Sequence, residues 1–258
     1  MENNYGKEFR NYATKHVGLS STLVDDVVEH QIKSSFNLPS ASLTPMILEE
    51  RKMRATQMSV FDRLMMDRII WVAHIIDTRV SSIIQAQLMF LNNLDKEKDI
   101  TMHLDTGGGS VMAGLGIIDL MNYIDADVVT VNLGMCASMG SVLLSSGTKG
   151  KRSSLIYSKV MTHMVSHGAQ GNIQSTRINQ LESEKYNYLL FKKLSQNTGK
   201  SFDEIFELSR QDKWFNSDEA LKFGLIDEII GVKENPTMTQ MLEGFDEYYK
   251  KEVIPNLL

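Results

Sequence analysis

Apolar residues in this chain fall into short continuous runs and into longer stretches where they recur every three or four positions. The run Ile69–Ile76 (Ile-Ile-Trp-Val-Ala-His-Ile-Ile) has the length of a buried strand. Val80, Ile83, Ile84, Leu88 and Leu91 then recur at helical spacing, which predicts an amphipathic helix packed across that strand. Ile100–Leu104 reads as a second strand and breaks at Asp105-Thr106-Gly107-Gly108-Gly109. Ser110 can cap a following helix that turns Leu115, Ile118 and Met121 inward. Val128–Leu133 is a third strand, Ala137–Ser146 a small-residue helix stopped by Gly147, and Val160–Met164 a fourth strand. A long polar helix is predicted at about 173–197, ending before Gly199. Ser201-Phe-Asp-Glu204 has the form of a capping box, Ser217–Phe223 a short helix closed by Gly224, and Leu225–Ile230 a last strand. Strand, crossover helix and strand in succession mean an α/β fold with a largely parallel sheet.

Composition adds boundaries to this pattern. All four prolines (Pro39, Pro45, Pro236 and Pro255) lie outside residues 46–235, and eleven of the 17 glycines fall between Gly107 and Gly171. Glycine at that density marks backbone that turns tightly or approaches another group closely. The expected organisation is an N-terminal segment over residues 1–44, one globular body over 45–231, and a tail over 232–258. The 258 residues, 42% of them hydrophobic, can bury a full core without disulfide or metal staples. A formal net charge of −5 argues against a dedicated nucleic-acid binder, which would carry a basic face. The single cysteine, Cys136, leaves no intramolecular disulfide, so a reducing cytoplasm is the expected compartment. The opening Met-Glu-Asn-Asn-Tyr lacks a signal-peptide pattern, and no apolar run approaches the roughly 18 residues of a membrane helix.

Chemistry in an α/β sheet concentrates where strands end and helices begin, because free backbone N–H groups point there. Two such junctions are rich in small residues: Gly107-Gly108-Gly109-Ser110 and Gly134-Met-Cys-Ala-Ser138-Met-Gly140. The first can set bare N–H groups against an anion or oxyanion, and the second sets a serine hydroxyl beside exposed amides. Each also has a plain reading, as a loop and as an N-cap. Ser138 misses the G-x-S-x-G elbow, since Cys136 occupies the first glycine position. A serine nucleophile needs a base and a group to orient it. His163, in the apolar run Val160-Met-Thr-His-Met164, is a candidate base or a hydrogen-bonded core histidine; His167 is a second candidate or a loop residue. Asp212, in the turn Arg210–Phe215, is one of many acids that fit the orienting role, and periodicity does not choose among them. No C-x-x-C or H-E-x-x-H pattern suggests zinc. Gly199-Lys200-Ser201 ends like a phosphate loop, but Leu194 stands where its upstream glycine is required.

Several segments in order carry a resemblance. They include Phe61-Asp-Arg-Leu-Met-Met-Asp-Arg-Ile-Ile70, Gly108-Gly-Ser-Val-Met-Ala-Gly114, Ala137-Ser-Met-Gly140 and Gly150-Lys-Arg152. They continue through Ser158-Lys-Val-Met-Thr-His163, Gly168-Ala-Gln-Gly171 and Ala220-Leu-Lys-Phe-Gly-Leu-Ile-Asp227. Together, from about Pro45 to Ile230, they resemble the proteolytic subunit of the Clp protease (the ClpP family). The resemblance implies a crotonase-like α/β fold with repeated β-β-α units and a protruding handle helix after Gly171. It implies an ATP-dependent serine endopeptidase with Ser138 as nucleophile, His163 as base, Asp212 as orienting acid, and the Gly109 and Met139 N–H groups as oxyanion hole. It assigns Gly168, Ala169, Gln170 and Gly171 to a substrate-binding strand, Ile47–Met58 to axial loops, and His103 and Tyr123 to a pocket that docks an unfoldase.

By the same resemblance the subunits would form heptameric rings stacked into a tetradecamer, of this chain alone or together with a second ClpP paralogue. A hexameric AAA+ unfoldase (ClpX, ClpA or ClpC type) would feed unfolded polypeptides into the chamber. No cofactor is expected, ATP being used by the unfoldase, and neither nucleic acid nor membrane is an expected partner. The chain departs from the family pattern at Gly107, where proline is usual, at Met164-Val165 and His167, at Lys159, at Arg210-Gln211, and at His103, where an aromatic ring is usual. Gly107 predicts a looser glycine loop. The departures as a set raise a second reading, a catalytically weak structural or regulatory ring subunit. A third is a crotonase-fold acyl-thioester enzyme, which the Ala-Ser-Met-Gly context argues against.

Overall fold

In the computed structural model, the described residues are 46–51, 54–166, 168, 171–231 and 236–249, with Lys15 and Ser20. The expected boundaries at 44/45 and 231/232 therefore fall at or beside residues outside that set. The chain divides into two compact units, Met1–Arg63 and Leu64–Leu258. In the first, β1 (Met46–Arg51) and β2 (Arg54–Ser59) form an antiparallel hairpin, in the stretch expected to supply axial loops. Helix α1 (Val60–Met66) opens with a reciprocal cap, Ser59 N–H to Asp62 Oδ2 and Asp62 N–H to Ser59 Oγ.

The second unit is built on a seven-stranded sheet with path β3-β4-β5-β6-β9, from which β7 pairs with β5 and β8 with β7. The strands are β3 (Ile69–Val72), β4 (Ile100–Thr106), β5 (Val128–Ala137), β6 (Arg152–Leu155), β7 (Lys159–Thr162), β8 (Lys213–Asn216) and β9 (Glu228–Ile230). Every pairing is parallel except β7 with β8. This is the α/β crossover architecture that the alternating pattern predicts. Helix α2 (Thr78–Leu94) starts at Asp77, whose carboxylate accepts the Val80 N–H at 2.7 Å, and buries Ser81, Ile84, Leu88 and Leu91. Ile83 is the exception to the predicted inward face: it is 49% exposed, because its neighbour Ile84 takes the core position. Helix α3 (Val111–Tyr123) is capped by Ser110 as expected, and the Ser81 hydroxyl donates to the Ala113 carbonyl to tie it to α2.

Several predicted boundaries move. The strand expected through Ile76 stops at Val72, and Ile76 returns only as a single parallel bridge to Gly109. β5 runs on to Ala137, so the small-residue helix α4 begins at Met139 and ends at Ser145. The fourth strand ends at Thr162 rather than Met164, and the last begins at Glu228 rather than Leu225. The long polar helix expected at about 173–197 is α5 (Ile173–Thr198), with Gly199 in the left-handed region at its end. Its first half is exposed, while Leu190, Phe191 and Leu194 are buried. Helix α6 (Phe202–Ser209) carries half of the expected capping box, the Ser201 hydroxyl accepting the Glu204 N–H. Helix α7 (Ser217–Phe223) matches its prediction and is followed by two single-turn helices, α8 (Met238–Met241) and α9 (Phe245–Tyr248).

One ion pair closes the sheet's far side. Arg152, 1% exposed at the start of β6, places Nε and Nη2 on the two Asp227 carboxylate oxygens at 2.7 and 2.6 Å. Its Nη1 donates to the Ser145 and Asn197 carbonyls, at the C-terminal ends of α4 and α5, where carbonyls lack intrahelical partners.

Candidate active site

The serine sits on a sharp bend between β5 and α4. Ser138 has φ 54° and ψ −124°, one of two non-glycine residues with positive φ among those described. That conformation is sterically disfavoured for an L-residue, and it persists where surrounding bonds hold it. The Ser138 N–H donates to the Met161 carbonyl at 2.9 Å, and its carbonyl accepts from the Ser141 N–H and hydroxyl at 3.0 and 2.7 Å. The side chain makes no capping bond to α4, which removes the N-cap reading. Instead Ser138 Oγ lies 2.9 Å from His163 Nε2.

His163 and Asp212 meet through strand register. β7 and β8 run antiparallel with Thr162 opposite Lys213, so His163 and Asp212 flank the end of the ladder as its next rung. His163 Nδ1 is 3.3 Å from Asp212 Oδ1. The histidine side chain is 23% exposed and the aspartate 64%. The apolar run predicts His163 inside a strand, with Asp212 in a turn over Arg210–Phe215. The structure places His163 just beyond β7 and turns Lys213–Asn216 into strand. Only Phe215 of those four residues is buried, so β8 has the weak signal of an edge. Beyond His163, the Val165 N–H donates to Asn187 Oδ1 of α5 at 2.7 Å.

The glycine loop packs directly on the serine turn. Gly108 has φ 91°, and a Cβ there would stand 2.5 Å from the Ala137 carbonyl oxygen and 2.8 Å from both Met139 N and Ser138 Cβ. A Cβ on Gly109 would come within 2.4 Å of the Ile76 oxygen. The Ile76–Gly109 bridge uses the Ile76 N–H to the Gly108 carbonyl and the Ser110 N–H to the Ile76 carbonyl. The Gly109 N–H takes no part in it. Met139 begins α4, where no intrahelical acceptor exists for its N–H. The two small-residue junctions thus form one wall of a cavity of about 380 Å³, which Ser138 and His163 also line. Its other side is apolar, with Val142, Leu190, Phe191 and Leu194. The α5 residues are a part of the site that the sequence reading missed. Their signal was the apolar cluster at the end of an otherwise polar helix. Asp212 lies outside the cavity, in a shallow hollow with Glu207, Arg210 and Lys213.

The remaining expected residues are less gathered. Gly168 and Gly171 lie outside any strand, so no strand holds the ends of the expected substrate-binding segment; Ala169, Gln170 and His167 fall outside the described residues. His103 on β4 stacks edge-on against Trp71 of β3, ring centroids 5.4 Å apart, and burial pulls its pKa below the ordinary histidine value. Tyr123, at the end of α3, is 76% exposed. Cys136 is fully buried, and burial pushes its thiol pKa well up. Among the described residues, no cluster of three or more His, Cys, Asp or Glu is placed to hold a metal ion, and no helix is long and apolar enough to cross a membrane.

The family model described as Clp protease matches residues 51–233. The chain belongs to the Clp protease family. It is 44% identical over 223 residues to the ATP-dependent Clp protease proteolytic subunit of Bacteroides fragilis, covering 86% of this chain and 98% of that protein. It is 42% identical to the subunit of the same name from Bacteroides thetaiotaomicron, with the same coverage. Against the one from Porphyromonas gingivalis identity is 44%, over 86% of this chain and 97% of that protein. This Clp-type serine peptidase subunit has the crotonase-like fold of its family. The acyl-thioester reading falls with that match.

Proposed function

We propose that Ser138, His163 and Asp212 form the catalytic triad of this Clp-type peptidase, with the Gly109 and Met139 N–H groups as its oxyanion hole. The observation that carries the reading is the 2.9 Å contact between Ser138 Oγ and His163 Nε2, made by a serine held at positive φ. Ser138 Oγ attacks the scissile carbonyl carbon while His163 Nε2 takes its proton. Asp212 accepts the Nδ1–H, fixing the tautomer that leaves Nε2 free to act as base. The carbonyl oxygen gains charge and is met by the two N–H groups. Collapse breaks the C–N bond as His163 returns the proton to the leaving amine. Water, deprotonated by the same histidine, then hydrolyses the acyl-enzyme. The apolar wall beside Ser138 supports unfolded polypeptide as substrate, since folded proteins keep such side chains buried.

On this reading the chain works in stacked heptameric rings fed by a hexameric ATP-driven unfoldase, in the cytoplasm and without a cofactor of its own. The exposed first half of α5 supports the handle role, and the relatives' name, ATP-dependent Clp protease proteolytic subunit, supports an ATPase partner. Trp71, 40% exposed beside His103, supports an apolar docking pocket there with Tyr123.

The test is labelling by a serine-directed fluorophosphonate, alone and with any copurifying homologue. Ser138→Ala should abolish labelling. Asp212→Asn should slow peptide turnover by about 10⁴-fold, as loss of the orienting acid does in other serine hydrolases. No Ser138-dependent labelling in either state sinks the triad, and labelling only with the homologue selects the heteromeric, weakly active subunit.

A further inference from the structure

Thr106, the last residue of β4, is 2% exposed, and its hydroxyl joins two segments. It donates to the His74 carbonyl at 2.7 Å and accepts the Gly108 N–H at 3.1 Å. Its methyl lies under the start of α4, where a Cβ added to Gly140 would stand 2.9 Å from Thr106 Cγ2. Gly108 is therefore held on both sides. Its N–H is on Thr106, and its carbonyl accepts the Ile76 N–H at 2.8 Å. No described peptide bond is cis, and a trans peptide sends its C=O and N–H in opposite directions. With the Gly108 carbonyl committed to Ile76, the Gly109 N–H must point away from Ile76. Gly109 lines the cavity that also holds Ser138 and His163.

We propose that Thr106 is a positioning residue for the oxyanion hole: its hydroxyl sets the Gly108–Gly109 peptide so that the Gly109 N–H meets the oxyanion formed on Ser138. The inference rests on the reading of Ser138 as nucleophile and Gly109 as donor. Thr106 itself is covered and touches no substrate. It also replaces, by side-chain bonding, the stiffness that proline would give at Gly107, so the loop is tied where the sequence predicted looseness.

The full chain is assayed with a short fluorogenic peptide, in whichever assembly the wild type turns over, as Thr106→Val, Thr106→Ser and Thr106→Ala. Removing an oxyanion donor lowers kcat by about 10²–10³-fold, so displacing one should lower it by at least about 10-fold. Thr106→Val should show that loss with KM within about twofold, and should bind a peptide boronate, which forms a tetrahedral adduct on Ser138, more weakly by a similar factor. Thr106→Ser keeps the hydroxyl and should stay within about threefold of wild type in both readouts. A merely structural threonine would move the unfolding midpoint and leave kcat, KM and boronate affinity of the folded enzyme unchanged. If Thr106→Val does not assemble, Thr106→Ala against Thr106→Ser decides by the same criteria. Wild-type kcat in the hydroxyl-free variant, a Thr106→Ser as slow as it, or a change confined to KM would overturn the proposal. Wild type that fails to label at Ser138 overturns the triad reading itself; normal labelling with an unaffected Thr106→Val overturns only the role of Thr106.

Discussion

Asp227→Asn tests how much of the fold's stability rests on the buried pair with Arg152. The carboxylate accepts bonds from Arg152 Nε and Nη2 at 2.7 and 2.6 Å and from the Gly150 and Arg152 N–H groups at 2.7 and 3.2 Å. Burial alone would raise its pKa; the Arg152 hydrogen bonds and charge, with the two N–H groups, outweigh that and lower it from 3.8 to about 2. At 1.36 kcal/mol per pH unit, this fall corresponds to about 2.5 kcal/mol. The folded value lies below the unfolded one, so this stability is present above about pH 4 and lost as pH falls toward 2. At neutral pH, Asp227→Asn leaves the Arg152 guanidinium buried with its counter-charge gone, which destabilises by about 3–5 kcal/mol. Urea unfolding of wild type and variant at pH 7, 4, 3 and 2.5 should show a gap that narrows by about 1.5 kcal/mol, because Asp227 of the unfolded wild type takes up its proton first. A gap that stays constant across that range would refute the assignment of the low pKa to this pair.

Two further outcomes follow from close contacts at the serine turn. Gly108→Ala puts a Cβ 2.5 Å from the Ala137 oxygen at φ 91°, and should cut fluorophosphonate labelling of folded protein at least about 10-fold. Gly107→Ala, whose Cβ meets nothing nearer than Met135 Cε at 3.9 Å, should fall less than about threefold; equal losses would break the steric argument. Cys136, fully buried with its thiol pKa pushed up, should resist iodoacetamide in the native protein and react once denatured, by mass spectrometry. Rapid native alkylation would contradict that burial.

The sequence was most legible where one periodicity dominated. The α2 face shows it, and the Gly199 and Gly224 stops were legible for a second reason, since positive φ also leaves a residue-type signature. Two of its limits lie at the site. β8 escaped notice because an edge strand with one buried residue shows no alternation, and Asp212 could not be singled out without it. The junction glycines were visible as a cluster. That they share one wall depends on β4 and β5 lying side by side, with Thr106 in register with Cys136, a long-range pairing no local pattern encodes. The resemblance singles out Ser138, His163 and Asp212 by motif order, and in the structure the three side chains lie in series, 2.9 and 3.3 Å apart.

The antiparallel ladder between β7 and β8 is also a ruler. Because His163 and Asp212 flank its end, their separation is set by how many residues lie between each and the paired rungs. A substitution at Trp214, 44% exposed on β8, leaves that count untouched. Deleting one residue of β8 would shift the acid by about 3.3 Å along the strand or turn its side chain to the opposite face. With Asp212 as the proposed orienting acid, this stretch should tolerate exchanges of side chain and lose activity on insertion or deletion of a single residue.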